Sequence, residues 1–268
     1  TEKDSFYLFK INHGFWEGVR YCYSNSLDER KFFFRPKDKL DTYKQRLKNS
    51  GIVNFLGLLI SSYLLNNPSN TFHCLGLNTG TKESRFKELS PLNQSAAAGM
   101  IAFYKSIQNI HKKALGENMK IPFRDSECIK RLMTSDNYIL EKILVNSDAI
   151  IFIGNRNLSK INSKHGGSRY FYQIPDQCVN ENFFAVASGY IGLLDIVLRK
   201  HNKITVICEA AVCSVVLGFL TQAIFSKKQI RFLDFGRSLH FAREGFCEKS
   251  GFNKDWHTSA TRNFQFET

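Results

Sequence analysis

Three carboxylates stand where chemistry could be done: Glu17, Glu209 and Asp234. Glu209 follows the apolar run at 204–208, and Asp234 lies in a second run at 230–235, just before Gly236. An acid at the end of such a run can hold ribose hydroxyls, coordinate a metal or take a proton from an acceptor. Asn155 and Arg156 follow a third apolar run at 149–153, while Arg237 and His240 come just after Asp234. Arginine offers paired donors that match phosphate oxygens. Glu17 belongs to NHGFWEG at 12–18, together with His13, Gly14 and Trp16. Glycine there permits a tight turn and close approach of a ligand to the backbone.

These groups meet only if the elements that carry them are neighbours. Residues 204–237 read as strand, helix, strand: 204–208 is rich in β-branched residues, and 210–225 is apolar on nearly every face, as suits a buried crossover helix. Such a βαβ unit forces a parallel sheet. In open α/β sheets ligands bind beyond the carboxyl ends of the strands, where Glu209 and Asp234 are expected. Each residue also has a plain structural reading. Arg156 and Arg237 can face solvent, Asp234 can cap a helix, Trp16 can fill the core and Glu17 can favour a helix N-terminus. Their occurrence at the ends of adjacent strands favours a site.

The rest of the chain supplies the frame. A strand is expected at 5–11, running into 12–18, and another at 71–77, ending in a polar loop. Helices are expected at 37–49, 52–65 and 90–115, the last opened by Ser90 as N-cap and Pro91 at its first position. Two more are expected at 125–133 and 136–145, the second capped by Ser135 or Asp136. From 148 the pattern becomes regular: a strand at 149–153, a polar loop with His165, Gly166, Gly167 and Arg169, a strand at 170–174, a helix at 183–199, then the βαβ unit. The tail from 245 is polar, aromatic and irregular, and is expected to wrap the surface. The fold class is therefore α/β, a doubly wound, mostly parallel Rossmann-like sheet with right-handed crossovers. It reads as one domain over 1–268, with a helix-rich part at 1–147, a regular β/α part at 148–244 and a tail at 245–268. The chain begins at Thr1, as expected of a domain taken from a longer protein.

Lysine and arginine total 37 against 24 acids, a formal charge of +13. That surface attracts polyanions: nucleic acid, anionic headgroups or phosphorylated small molecules. The cations are spread along the chain, with no arginine-rich tract and no aromatic-basic signature of RNA binding. Seven cysteines without a CxxC or a metal-like spacing to histidine imply reduced, buried thiols and a cytoplasmic protein. The apolar stretches 52–65 and 210–225 are shorter than the roughly 20 residues of a bilayer crossing. GxGxxG after a strand, GxxxxGK[ST], GxSxG and HExxH are all absent, which argues against an ordinary NAD enzyme, a P-loop NTPase, a serine hydrolase and a zincin.

The series from Tyr170 onward, a strand ending Ile174-Pro175, a helix, ITVICEAA, a long helix and RFLDFGRSLHF, resembles the C-terminal half of bacterial GT-D glycosyltransferases. That family runs from a strand into a double alanine, here Ala210-Ala211, and ends a later strand in Asp-x-Gly, here Asp234-Phe235-Gly236. Its members open with a strand into an Arg-x-Gly-Asp-Gly-Glu-like loop, matched here by Gly14-Phe15-Trp16-Glu17. Phe15 stands where the first acid belongs, and Val212-Cys213 replaces the usual Gly-Pro. The resemblance spans the first twenty residues and roughly the last hundred before the tail; the helical middle is unmatched.

It implies transfer of a sugar from a nucleotide-sugar donor to a hydroxyl of a glycan acceptor. Glu17, then Asp234 or Glu209, would serve as catalytic acids or bases. His13, Gly14, Trp16, Asn155, Arg156, Arg169, Arg237 and His240 would bind the donor. Manganese or magnesium is the implied cation, with Glu17 as its ligand if one is bound, and loss of the acid at Phe15 leaves a metal-independent variant open. Peripheral association with a membrane follows from the charge and the acceptor class. Two other readings stand beside it: a basic module that binds nucleic acid or another polyanion, and a different Rossmann-like enzyme of nucleotides or phosphosugars.

Overall fold

A computed structural model describes residues 5–11, 71–75, 123–125, 138–155, 161–165, 167–175, 182–210, 212–235 and 263–266. The chain divides into two compact units, one of residues 1–10, 70–72 and 127–268, the other of 11–69 and 73–126. The helices expected at 37–49, 52–65 and 90–115 lie outside the described residues.

The first unit is built on five parallel strands in the order β1-β8-β7-β4-β6. They are β1 (Phe6–Ile11), β4 (Ala149–Gly154), β6 (Ser168–Gln173), β7 (Lys203–Cys208) and β8 (Gln229–Asp234). In β4 every residue is buried, and in β7 all but Lys203. Strands covered on both faces read as unbroken apolar runs for this reason. The register aligns Ile153 with Cys208 and Cys208 with Asp234, so the carboxyl ends of three neighbouring strands finish level.

Among the described residues helices lie on both faces of this sheet, consistent with an α/β fold. Helix α2 (Phe183–Leu198) links β6 to β7, and α3 (Val212–Ile224) links β7 to β8. Both lie on the face that bears Tyr172. Its hydroxyl donates to the Val186 carbonyl at 2.9 Å, and a buried Tyr190 hydroxyl meets Thr221 Oγ1 at 2.7 Å. Thr221 donates onward to the Leu217 carbonyl, so the phenol supplies the proton of the Tyr190–Thr221 bond. Helix α1 (Ile139–Val145) lies on the other face. Buried Ser147 Oγ bonds both the Ile143 carbonyl and Thr205 Oγ1 at 2.7 Å, and Arg231 Nη1 donates to the Ile143 carbonyl at 3.1 Å.

Four local expectations change. The helix expected at 136–145 begins only at Ile139, behind Tyr138 in the left-handed conformation (φ 48°) with no side-chain cap. Ser135 and Asp136 themselves lie outside the described residues. Asp125 does not open a helix; it closes the short strand β3 (Phe123–Asp125). That strand pairs in parallel with β2 (Thr71–Leu75) through His73–Phe123, Cys74–Arg124 and Leu75–Asp125. The loop between β4 and β6 contains a strand, β5 (Ile161–Ser163), and the tail, expected to be irregular, supplies its antiparallel partner β9 (Phe264–Phe266). Phe264 is buried and meets Phe152 edge-on, with ring centroids 6.0 Å apart. The tail is therefore in part a component of the core.

Gly167 fixes the entry to β6. Its amide donates to the Ser147 carbonyl at 3.0 Å, and a Cβ there would lie 1.9 Å from the Asp148 carbonyl oxygen. Backbone cannot yield at that distance, so the position requires glycine.

Candidate functional site at the carboxyl edge

The chain leaves β4 toward β6 on one side and leaves β7 toward β8 on the other. This reversal between neighbouring strands is a topological switch point, where open α/β sheets leave a crevice. Asn155 is the first residue after β4 and Glu209 the first after β7. The Glu209 amide donates to the Ile153 carbonyl at 2.8 Å and the Phe235 amide to the Cys208 carbonyl at 3.0 Å. The ladder thus continues one step past the strands and holds these residues on a rigid rim.

Asp234 ends β8 and is 1% exposed, whereas Glu209 is half-buried. Side chains alternate along a strand, so Cys208 and Asp234, which are register partners, share the face covered by α2 and α3. Glu209 follows as the first residue past the strand. The Cys208 thiol is pushed well above its ordinary value, first by burial and then by the negative charge of Asp234. Cys213, in the first turn of α3, is pushed up to about 12 by burial. Both thiols are free and buried, and they stay protonated at neutral pH. They are packing groups here, not nucleophiles.

Of the residues picked out by sequence, Asn155, Glu209 and Asp234 are brought together on this edge. Arg169 is not. It is the second residue of β6, paired with Ile150 near the start of β4, and so belongs to the amino half of the sheet. Its place in the sequence, just before an apolar run, already put it at the wrong end of a strand. His13, Gly14, Trp16, Glu17, Arg156, Arg237 and His240 lie outside the described residues. Among the described residues no three His, Cys, Asp or Glu side chains gather as a metal site. Cys208 is the residue that sequence reasoning passed over: it touches the electrostatics of Asp234, and only the β7–β8 register reveals that.

Comparison with models of known protein families, with curated proteins and with solved structures gave no match. No helix among the described residues is long and apolar enough to cross a membrane.

Proposed function

We propose that the chain is a glycosyltransferase that moves a sugar from a nucleotide-sugar donor to a hydroxyl acceptor at the carboxyl edge of the sheet. The observation that carries this reading is the switch point between β4 and β7, with Asn155 and Glu209 as the first residues beyond the two strands. The resemblance of the first twenty residues and of the series from Tyr170 onward to GT-D enzymes supports it. Of the two described acids on this edge, Glu209 is the one with access to solvent, and it takes the proton as the acceptor oxygen attacks the anomeric carbon. The bond from that carbon to the diphosphate then breaks, and the diphosphate leaves with its charge neutralised by cations. Arg156, Arg237 and His240 are proposed for that task, and Glu17 as a second acid. Asp234 acts as a positioning residue, since a carboxylate 1% exposed holds the rim and does not meet the acceptor.

The test is a thermal-shift panel of nucleoside diphosphates and nucleotide sugars, with and without manganese, followed by turnover of Glu209→Gln. One nucleotide family is expected to raise the melting temperature. Glu209→Gln is expected to keep that shift and to lose at least a hundredfold in turnover, the scale of a lost general base. Indifference to every nucleotide, with a salt-sensitive response to short DNA, would replace this reading by a polyanion-binding module.

A further inference from the structure

The opposite edge of the sheet has a different chemistry. Strand β7 begins at Lys203, paired with Gln229 at the start of β8, so the loops that enter them, 199–202 and 225–228, run side by side. They carry Arg199, Lys200, Lys227 and Lys228, and with Lys203 all five are exposed. Arg199 is held by Asp195 at 2.7 Å, while among the described residues no ion pair engages Lys200, Lys203, Lys227 or Lys228. The nearby carboxylate of Asp148 is turned to backbone: its Oδ2 accepts the amides of Asn202 and Lys203 at 3.0 and 2.9 Å. The rim is also stiff. Ser5 Oγ donates to the Lys228 carbonyl at 2.9 Å and accepts the Ile230 amide at 3.2 Å, which ties the second loop to β1.

Positive charge beyond a helix C-terminus is favoured by the helix dipole and needs no partner. The dipole does not account for the isoleucines. Ile196, in the last turn of α2, is 53% exposed, and Ile224, the last residue of α3, is 52% exposed. These two helices pack on one face of the sheet and both end at this edge, Ile196 just ahead of Lys200 and Ile224 just ahead of Lys227 and Lys228. A nucleic-acid backbone offers charge but little to bury a pair of isoleucines. The interface of an anionic bilayer offers both, with phosphate and carboxylate headgroups over an acyl boundary.

We infer that this amino edge, formed by Lys200, Lys203, Lys227 and Lys228 around Ile196 and Ile224, is a docking surface for anionic membrane. It lies about 17 Å from the carboxyl edge, the length of a six-residue strand, so a docked chain would hold its proposed site facing away from the lipid. The inference rests on exposure and charge at this edge and is independent of the chemistry proposed for the other.

The test is sedimentation with vesicles of phosphatidylcholine alone and of phosphatidylcholine with phosphatidylserine in equal parts, with duplex DNA as a separate ligand. The chain is expected to pellet with the anionic vesicles and not with the neutral ones. Each lysine near an anionic surface is worth roughly fivefold in partitioning, so Lys227→Ser with Lys228→Ser is expected to lower it by roughly 25-fold. Ile196→Ser with Ile224→Ser is expected to weaken vesicle binding and to leave DNA binding unchanged. Vesicle binding that survives the lysine changes, or that ignores the isoleucine changes, overturns the proposal. So does binding to DNA with none to vesicles. All four substitutions are at exposed positions, and unchanged circular dichroism confirms that a loss is one of docking.

Discussion

Cys213 and Tyr7 are buried groups that ionise only at a cost. Burial pushes the Cys213 thiol from 9.0 up to about 12 and the Tyr7 phenol from 10.0 up to about 12. A raised value in the folded state means that the native chain keeps the proton after the unfolded chain has released it. Stability is then intact below the unfolded values and falls with rising pH until the folded values are passed. Unfolding in urea is expected to become steadily easier between pH 9 and 12, with Cys213 alone contributing on the order of 4 kcal/mol over the window. Cys213→Ala is expected to flatten that slope while lowering stability at neutral pH through the cavity it leaves. A wild-type urea midpoint that is constant across the window would show that the thiol reaches solvent. The sequence already marked Cys213 as buried, because it lies in an apolar helix; nothing in it told that Cys208 shares a face with Asp234.

Strand β9 shows how short elements escape a reading by periodicity. The three residues Phe264, Gln265 and Phe266 alternate, yet three residues cannot separate a strand from an irregular tail, and the partner Ile161–Ser163 is about a hundred positions away. The long runs were legible for the opposite reason: β4, β7 and β8 are buried on both faces, and α2 and α3 are apolar through most of their length. The start of α1 was misplaced because Tyr138 takes a left-handed conformation that no local cap announces. Arg169 lies at the amino end of its strand whether that strand is taken to start at 170 or, as in β6, at Ser168, so the structure keeps it apart from Asn155, Glu209 and Asp234. Phe264→Ala removes a buried ring from its contact with Phe152, and a loss of about 3–5 kcal/mol is expected in chemical denaturation. A change below about 1 kcal/mol would mean that β9 is only an attachment to the surface.

At the scale of the sheet, the two edges differ in what they carry: Asn155, Glu209 and Asp234 at strand ends on one, lysines and isoleucines on the other. Lys227→Ser with Lys228→Ser is expected to leave the thermal shift by a nucleoside diphosphate unchanged, and Glu209→Gln to leave vesicle sedimentation unchanged. Cross-talk in either direction would show that one face serves both ligands. The switch point itself was legible only in outline, since the alternation of strands and helices gives a parallel sheet but not the order in which strands lie. The placement of β1 beside β8 could not be read at all. Phe6 is aligned with Arg231, so β1 has on this side a neighbour made more than two hundred residues after it. At ribosomal speeds of roughly 5–20 residues per second that interval is on the order of ten to forty seconds. Throughout it the edge of FYLFKI that β8 will cover stays unpaired, and that edge is a template for wrong partners until β8 emerges.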